Sequence, residues 1–258
     1  MESTERVLHQ IDEQEHGHVH TLYVNNPARL NVLNSATIDA LLERLEHIAN
    51  DQLARAVILR GSGDKAWIGG ADIREMADLD EDTAIVFIQR VHALCHALRM
   101  LPVPVVAAIR GYCLGAGLEV AASCDLRLAA HGSYYGMPEV RVGLPSVIEA
   151  ALLPRLIGIG HARDLVMTAR VVDSDEASRW GLLDGLVAAH ELDALVDERV
   201  QQLLAAAPQA MRTQKILCRG WDEQSLHAVI DTSIKAFGKS FAGDEPHTYL
   251  QQFLHRKR

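Results

Sequence analysis

Residues 103–130 read VPVVAAIRGYCLGAGLEVAASCDLRLAA, and their reading decides the fold. VPVVAAIRG is short, apolar and closed by glycine, which predicts a buried strand. GYCLGAG then turns the chain into a segment that carries Glu119 ahead of Val120, Ala121 and Ala122. DLRLAA predicts a second buried strand. Glu119 and Asp125 are the only acids in residues 111–130. The plain reading of Glu119 is an acid in the first turn of a helix, favoured by the helix dipole. A chemical reading stands beside it. Free N–H groups at a helix start stabilise an anion, including one on a substrate oxygen. A carboxylate beside apolar groups has a raised pKa and exchanges protons near neutrality.

The same alternation of strand and helix runs outward from this stretch. Residues 6–24 predict two strands about a turn near Glu15-His16-Gly17, the second supported by alternation over residues 18–24. Asn34 or Ser35 caps the next helix, whose apolar stripe is Ile38, Leu41, Leu42, Leu45 and Ile48. ARAVILRG predicts a strand, GSGDKAWIGGAD a glycine-rich loop, and Asp82 to Met100 a long helix ended by Pro102 and Pro104. SYYGMPEVRVGLP is read as irregular, and IEAALLPRLIG and GHARDLVMTAR as helices. From His190 onward the chain is nearly all helical, with breaks at Pro208 and near Gly220 and Gly243. The expectation is an α/β body over residues 1–194 and a helical region over residues 195–258.

Bulk properties exclude several classes. The 258 residues carry a formal net charge of -9, which argues against a general nucleic-acid binder. Hydrophobic residues make up 48% and charged residues 23%, the balance of a globular protein able to bury a sizeable core. No apolar run approaches the ~18 residues of a membrane-spanning helix, and residues 1–16 lack the apolar stretch of a signal peptide. Cys95, Cys113, Cys124 and Cys218 form no C-x-x-C pair, so free thiols in a reducing compartment, the cytoplasm, are expected.

Other candidates have plain readings. Glu139 alone is a solvated loop acid, and Glu149 a helix-start acid. Gly69 and Gly70 allow the backbone to approach a ligand, with the Ala71 N–H beyond them and Asp72 capping the next helix. His16, His18 and His20 alternate with His9 near them; a metal site needs a further ligand, so a solvated strand face and no metal are expected. GAGLEVAASCD and GIGHAR lack the full G-x-G-x-x-G pattern with its distant acid, which excludes a dinucleotide fold. Trp67 is read as a core residue.

KAWIGGADIREM, residues 65–76, resembles the K-A-F-x-x-G-A-D-I-x-E-M stretch of the enoyl-CoA hydratase/isomerase (crotonase) superfamily. Residues 103–130 are similar to that family's segment from P-V through G-G-G-x-E-L-A to C-D-x-R-x-A. NPARLNVLN resembles its R-P-x-x-x-N-A-L-N, and MPEVRVGLP its P-E-x-x-x-G. Residues 154–187 are similar to its downstream helices. The resemblance implies a spiral of ββα repeats with a helical C-terminal region that drives trimers or dimers of trimers. It implies acyl-CoA thioesters as ligands, with CoA as part of the substrate and no separate cofactor. The N–H groups of Ala71 and Ala116 would form the oxyanion hole. Glu119 would activate the water that attacks Cβ, and Glu139 would protonate Cα. Lys65 and Arg74 would meet the CoA phosphates, with the backbone of Asp72 and Ile73 on the adenine side. FLHRKR at the end of the chain resembles a basic tail that reaches a neighbour's CoA.

Retention of both glutamates favours an enoyl-CoA hydratase over an isomerase. Relatives on this fold also run decarboxylation, thioester hydrolysis and dehalogenation, and a non-catalytic CoA-binding oligomer is a further alternative. Two departures bear on the chemistry. Ala116 replaces the middle glycine of G-G-G, which keeps the donor if φ is negative. LPSVIEAALLPRL replaces the family's glycine-rich I-P-G-A-G-G-T-Q-R-L and places Glu149 there.

Overall fold

The computed structural model describes residues 5–256. Lys257 and Arg258 of the basic tail lie outside the described residues, as do the first four residues of the N-terminal expectation. β1 (Val7–Gln14) and β2 (Gly17–Val24) form an antiparallel hairpin. α1 (Ser35–Asn50) follows, its N-cap Asn34 accepting a bond from the Thr37 N–H, and it buries Ile38, Leu41, Leu45 and Ile48. β3 (Ala54–Gly61), β4 (Ala66–Ile68), the single turn α2 (Ile73–Met76) and α3 (Glu81–Met100) come next. They lead to β5 (Val105–Ile109), β6 (Tyr112–Leu114), α4 (Ala116–Ala122), β7 (Leu126–Ala130) and β8 (Tyr134–Gly136). A 3-10 turn over Glu139–Val142 and another over Ile148–Leu152 precede α5 (Leu153–Thr168), which kinks at Gly158. β9 (Val171–Asp173), α6 (Ser174–Arg179) and β10 (Gly185–Val187) complete the body.

Two sheets result. The larger has the order β1-β2-β3-β5-β7-β10 and is parallel except for the β1–β2 hairpin. The smaller has the order β4-β6-β8-β9, with only β9 antiparallel. Each successive pair, β3–β4, β5–β6 and β7–β8, puts its first strand in the larger sheet and its second in the smaller. Repetition of this unit, with helices between, winds the chain into the expected ββα spiral.

The smaller sheet is where the structure departs from the sequence reading. Residues read as a loop contain β4, and those read as irregular contain β8. Trp67 on β4 is 1% exposed, and its Nε1–H donates to the Leu59 carbonyl at 3.0 Å, so it belongs to the core. The three cysteines of the body are buried free thiols.

α7 (Leu192–Leu204) packs Leu192, Val196, Val200 and Leu204 on Val19, Ile58, Val106 and Leu128 of the larger sheet. The expected boundary at residue 195 thus falls within a helix that closes the body. α8 (Pro208–Glu223), α9 (Leu226–Ser240) and α10 (Glu245–Arg256) follow. Pro208 starts α8, and Gly220 lies inside it; the helix ends at Glu223, with Gln224 as its C-cap. Lys215 fastens α8 to the body. Its buried ammonium donates to the carbonyls of Leu98 at 3.1 Å and Val103 at 2.8 Å and to Asp125 Oδ2 at 2.7 Å. Beyond that anchor, Trp221, Leu226, Ile230, Ile234 and Phe237 leave apolar surface uncovered.

The histidine expectation is corrected. His20 is fully buried, not solvated, because the β1–β2 hairpin lies against the end of α1. His20 Nε2 lies 3.0 Å from Asp51 Oδ2, His18 Nδ1 lies 2.7 Å from the same oxygen, and His9 Nε2 lies 2.9 Å from His20 Nδ1. His16 stands in the turn.

Candidate active site

The site is built around the turn from β6 into α4. Gly115 holds a left-handed φ of 52° and caps α4, so Ala116 is the first helical residue. Ala116 has negative φ, and alanine there keeps its backbone donor. At the first helical position that N–H has no intrahelical acceptor. Gly117, one residue on, brings α4 against β4: a Cβ at Gly117 would stand 2.2 Å from the Ile68 carbonyl oxygen. The end of β4 and the start of α4 are therefore side by side.

Ala71 follows that same end of β4. Leu33 forms a parallel bridge with it, receiving the Asp72 N–H on its carbonyl at 2.8 Å and donating its own N–H to the Gly70 carbonyl at 2.8 Å. Those two bonds use the groups either side of Ala71, so the Ala71 N–H faces away from Leu33. Ala71 and Ala116 thus supply two backbone donors at neighbouring turns.

Glu119 is one helical turn into α4 and 4% exposed. Burial pushes its carboxyl up to about 8, and the charges of Glu139 and Glu149 add to the rise. The Ala150 N–H donates to Glu119 Oε1 at 3.2 Å and opposes the rise without cancelling it.

Glu139 opens the 3-10 turn after β8 and is half-buried. Ser146 Oγ donates to its Oε2 at 2.7 Å. Its Oε1 lies against Gly115, where an added Cβ would be 2.6 Å away. Glu139 thus lies against the turn that opens α4, next to the Ala116 N–H, and its charge acts on the Glu119 carboxyl.

Glu149 belongs to the same cluster. It is 5% exposed and faces α3, where its Oε1 lies 2.9 Å from His92 Nδ1; its Oε2 is buried with no hydrogen-bond partner among the described residues. Glu149 does stand in the first turn of a helix, the 3-10 turn over Ile148–Leu152, but its carboxyl is buried. Ile148 immediately before it holds φ of 40°, a strained conformation for a β-branched residue, and turns the segment inward. The apolar flanks of Glu149 in sequence were the one available signal.

The expected CoA residues lie at the rim. Asp72 is buried and caps α2 by accepting the Arg74 N–H at 3.0 Å, while Lys65, Ile73 and Arg74 are exposed around it. Arg29, which the sequence reading did not single out, approaches Asp72 Oδ2 to 3.9 Å and adds a basic group there. A separate cavity of about 520 Å³ between α8 and the body is lined by Arg99, Asp125, Lys215 and Trp221 and holds none of these residues.

Elsewhere, His18, His20 and Asp51 bring potential metal-ligand atoms within 4.8 Å of one another. Asp51 is the further ligand the sequence did not reveal. Its hydrogen bonds to both histidines already satisfy these groups.

Known proteins agree with this architecture. The enoyl-CoA hydratase/isomerase family profile matches residues 14–258. The short-chain-enoyl-CoA hydratase of Clostridium acetobutylicum is 31% identical over 252 residues, covering 97% of both chains. The crotonyl-CoA hydratase of Syntrophomonas wolfei is 32% identical over 238 residues, covering 92% of both. The crystal structure of enoyl-CoA hydratase from Bacillus anthracis superposes with a TM-score of 0.90 at 29% identity, over 96% of both chains. With a profile match over nearly its whole length, the chain belongs to the enoyl-CoA hydratase/isomerase family and has the crotonase fold.

Proposed function

We propose that this protein is an enoyl-CoA hydratase, adding water across the 2,3-double bond of an α,β-unsaturated acyl-CoA. The observation that carries this reading is the placement of Glu139 against the Gly115 turn, from which α4 presents the Ala116 N–H and then the buried Glu119, on whose carboxyl the Glu139 charge acts. Hydration needs one water held between two acids while the thioester oxygen gains charge. The N–H groups of Ala71 and Ala116 hold that oxygen. Glu119, once it has given up its proton, takes one from water as the water oxygen bonds to Cβ. The π electrons of the double bond move toward the thioester, and the enolate collapses as Glu139 delivers a proton to Cα. Glu119 ends protonated and Glu139 ionised, and a proton passed from Glu119 to Glu139 through the next water restores the starting pair, so that net one water is added with no redox change.

Lys65 and Arg74 hold the CoA phosphates by charge-assisted hydrogen bonds, and the backbone of Asp72 and Ile73 contacts the adenine side. The uncovered apolar faces of α8 and α9 pack against further copies of the chain, as a trimer or a dimer of trimers. The relatives named as hydratases support the reaction assigned. The test is loss of conjugated enoyl absorbance on adding trans-2-enoyl-CoA of graded chain length. Turnover of short or medium chains supports hydration; binding of the thioester with no turnover overturns it.

A further inference from the structure

Two features of the site resolve one another. Glu119 is buried with its carboxyl favoured in the protonated form, yet to act as a base it must release that proton. Glu149, one residue from the Ala150 N–H that binds Glu119, has a buried oxygen with no donor among the described residues. A buried carboxylate oxygen without a donor is costly, and its placement here is held by strained backbone at Ile148. Its other oxygen bonds His92, whose side chain is 52% exposed. Glu149 is thus coupled by its charge to the buried acid and by a hydrogen bond to a side chain open to solvent.

We propose that Glu149 and His92 form a proton relay that connects Glu119 to bulk water. It is a positioning and proton-transfer device for the hydratase chemistry inferred above and rests on that reading for its use in turnover. At rest one proton is shared between Glu149 Oε1 and His92 Nδ1. On release, the O–H of Glu119 breaks as a water between the two acids takes that proton, and the same water gives up one of its own to form an O–H at Glu149 Oε2. The shared proton settles on Nδ1, and the Nε2–H of His92 passes to water. Each transfer breaks one bond to hydrogen and makes one, Glu119 gains the negative charge left behind, and no electron changes hands.

The titratable groups around this path are few. Glu139 faces Glu119 from the 3-10 turn after β8, and Cys95 of α3 lies within the field of Glu149, its burial keeping the thiol protonated. His96 sits one turn along α3, with its ring 5.9 Å from that of His92. His96 is exposed and reaches neither acid in its hydrogen bonding among the described residues, so it serves as the control.

The test reads Glu119 directly in the resting protein. A light-released proton pulse is followed by time-resolved infrared spectroscopy of the Glu119 carboxyl band, identified by its loss in Glu119→Gln. His92→Gln and Glu149→Gln should slow the response of that band about tenfold or more, His96→Gln should leave it unchanged, and added imidazole should restore the His92→Gln rate. Wild-type response in both His92→Gln and Glu149→Gln overturns the relay, as does slowing of His92→Gln without rescue by imidazole. Should Glu149→Gln fail to fold, His92→Gln at its half-exposed position decides the matter alone. Enoyl-CoA turnover is measured in the same proteins. A wild type that hydrates nothing ends the hydratase reading, while the infrared response still decides the relay.

Discussion

The Ala150 N–H donates to Oε1 of Glu119 across 3.2 Å. This bond joins the 3-10 turn over Ile148–Leu152 to the first turn of α4, so the segment that departs most from the family pattern is in contact with the first candidate acid. In this chain VIEAAL stands where the family pattern has flexible glycines. It keeps a backbone donor on Glu119 and adds the Glu149–His92 pair behind it.

Burial of Glu119 links stability to pH. Its folded-state carboxyl titrates near 8 against an ordinary value of 4.5. Below 4.5 both folded and unfolded chains hold the proton. Between 4.5 and 8 the unfolded chain loses it while the folded chain keeps it, so this group's contribution to stability falls as pH rises through that window and levels off above it. The expected loss is on the order of a few kcal/mol. Glu119→Gln should flatten the dependence of Tm on pH across the window; an unchanged slope would show that Glu119 is ionised in the folded protein at neutral pH.

Gly115→Ala tests the turn that joins the two acids. Its φ of 52° strains any side chain, and a Cβ would press on Glu139 Oε1. A stability loss of about 1–2 kcal/mol is expected. Because Glu139 is displaced, the fall in kcat should exceed about tenfold. Thermal melts and steady-state kinetics on one preparation separate the two effects.

Lys65→Ala and Arg74→Ala test the rim. Each removes an exposed basic group, so KM for the acyl-CoA should rise about fivefold, equivalent to about 1 kcal/mol, with kcat little changed. Raising ionic strength should shrink the difference. An effect on kcat alone would place these residues elsewhere in the reaction.

The larger sheet was legible because its strands are long or strongly patterned: β2 alternates, and ARAVILRG and VPVVAAIRG are apolar runs bounded by glycine. The smaller sheet was not, because β4, β6, β8 and β9 are three residues each, too short to show a period. Those strands exist by pairing with one another, which local sequence does not record. The site followed the same division. The Ala71 and Ala116 turns and both glutamates were singled out through glycine punctuation and family resemblance. Glu149 was legible as a helix-start acid, but its burial was not, because that comes with the turn at Ile148 and the contact with His92, 57 residues away. His20 was misread because alternation puts His18 and His20 on one face without saying which face is covered.

The most direct measurement is the rate at which wild type, Glu119→Gln and Glu139→Gln consume the enoyl absorbance of trans-2-enoyl-CoA. The two-glutamate site requires turnover by wild type and a loss of about a hundredfold to ten-thousandfold in each variant, with acyl-CoA binding retained. Undiminished hydration in either variant would contradict it, as would a wild type that binds the thioester and leaves the double bond intact.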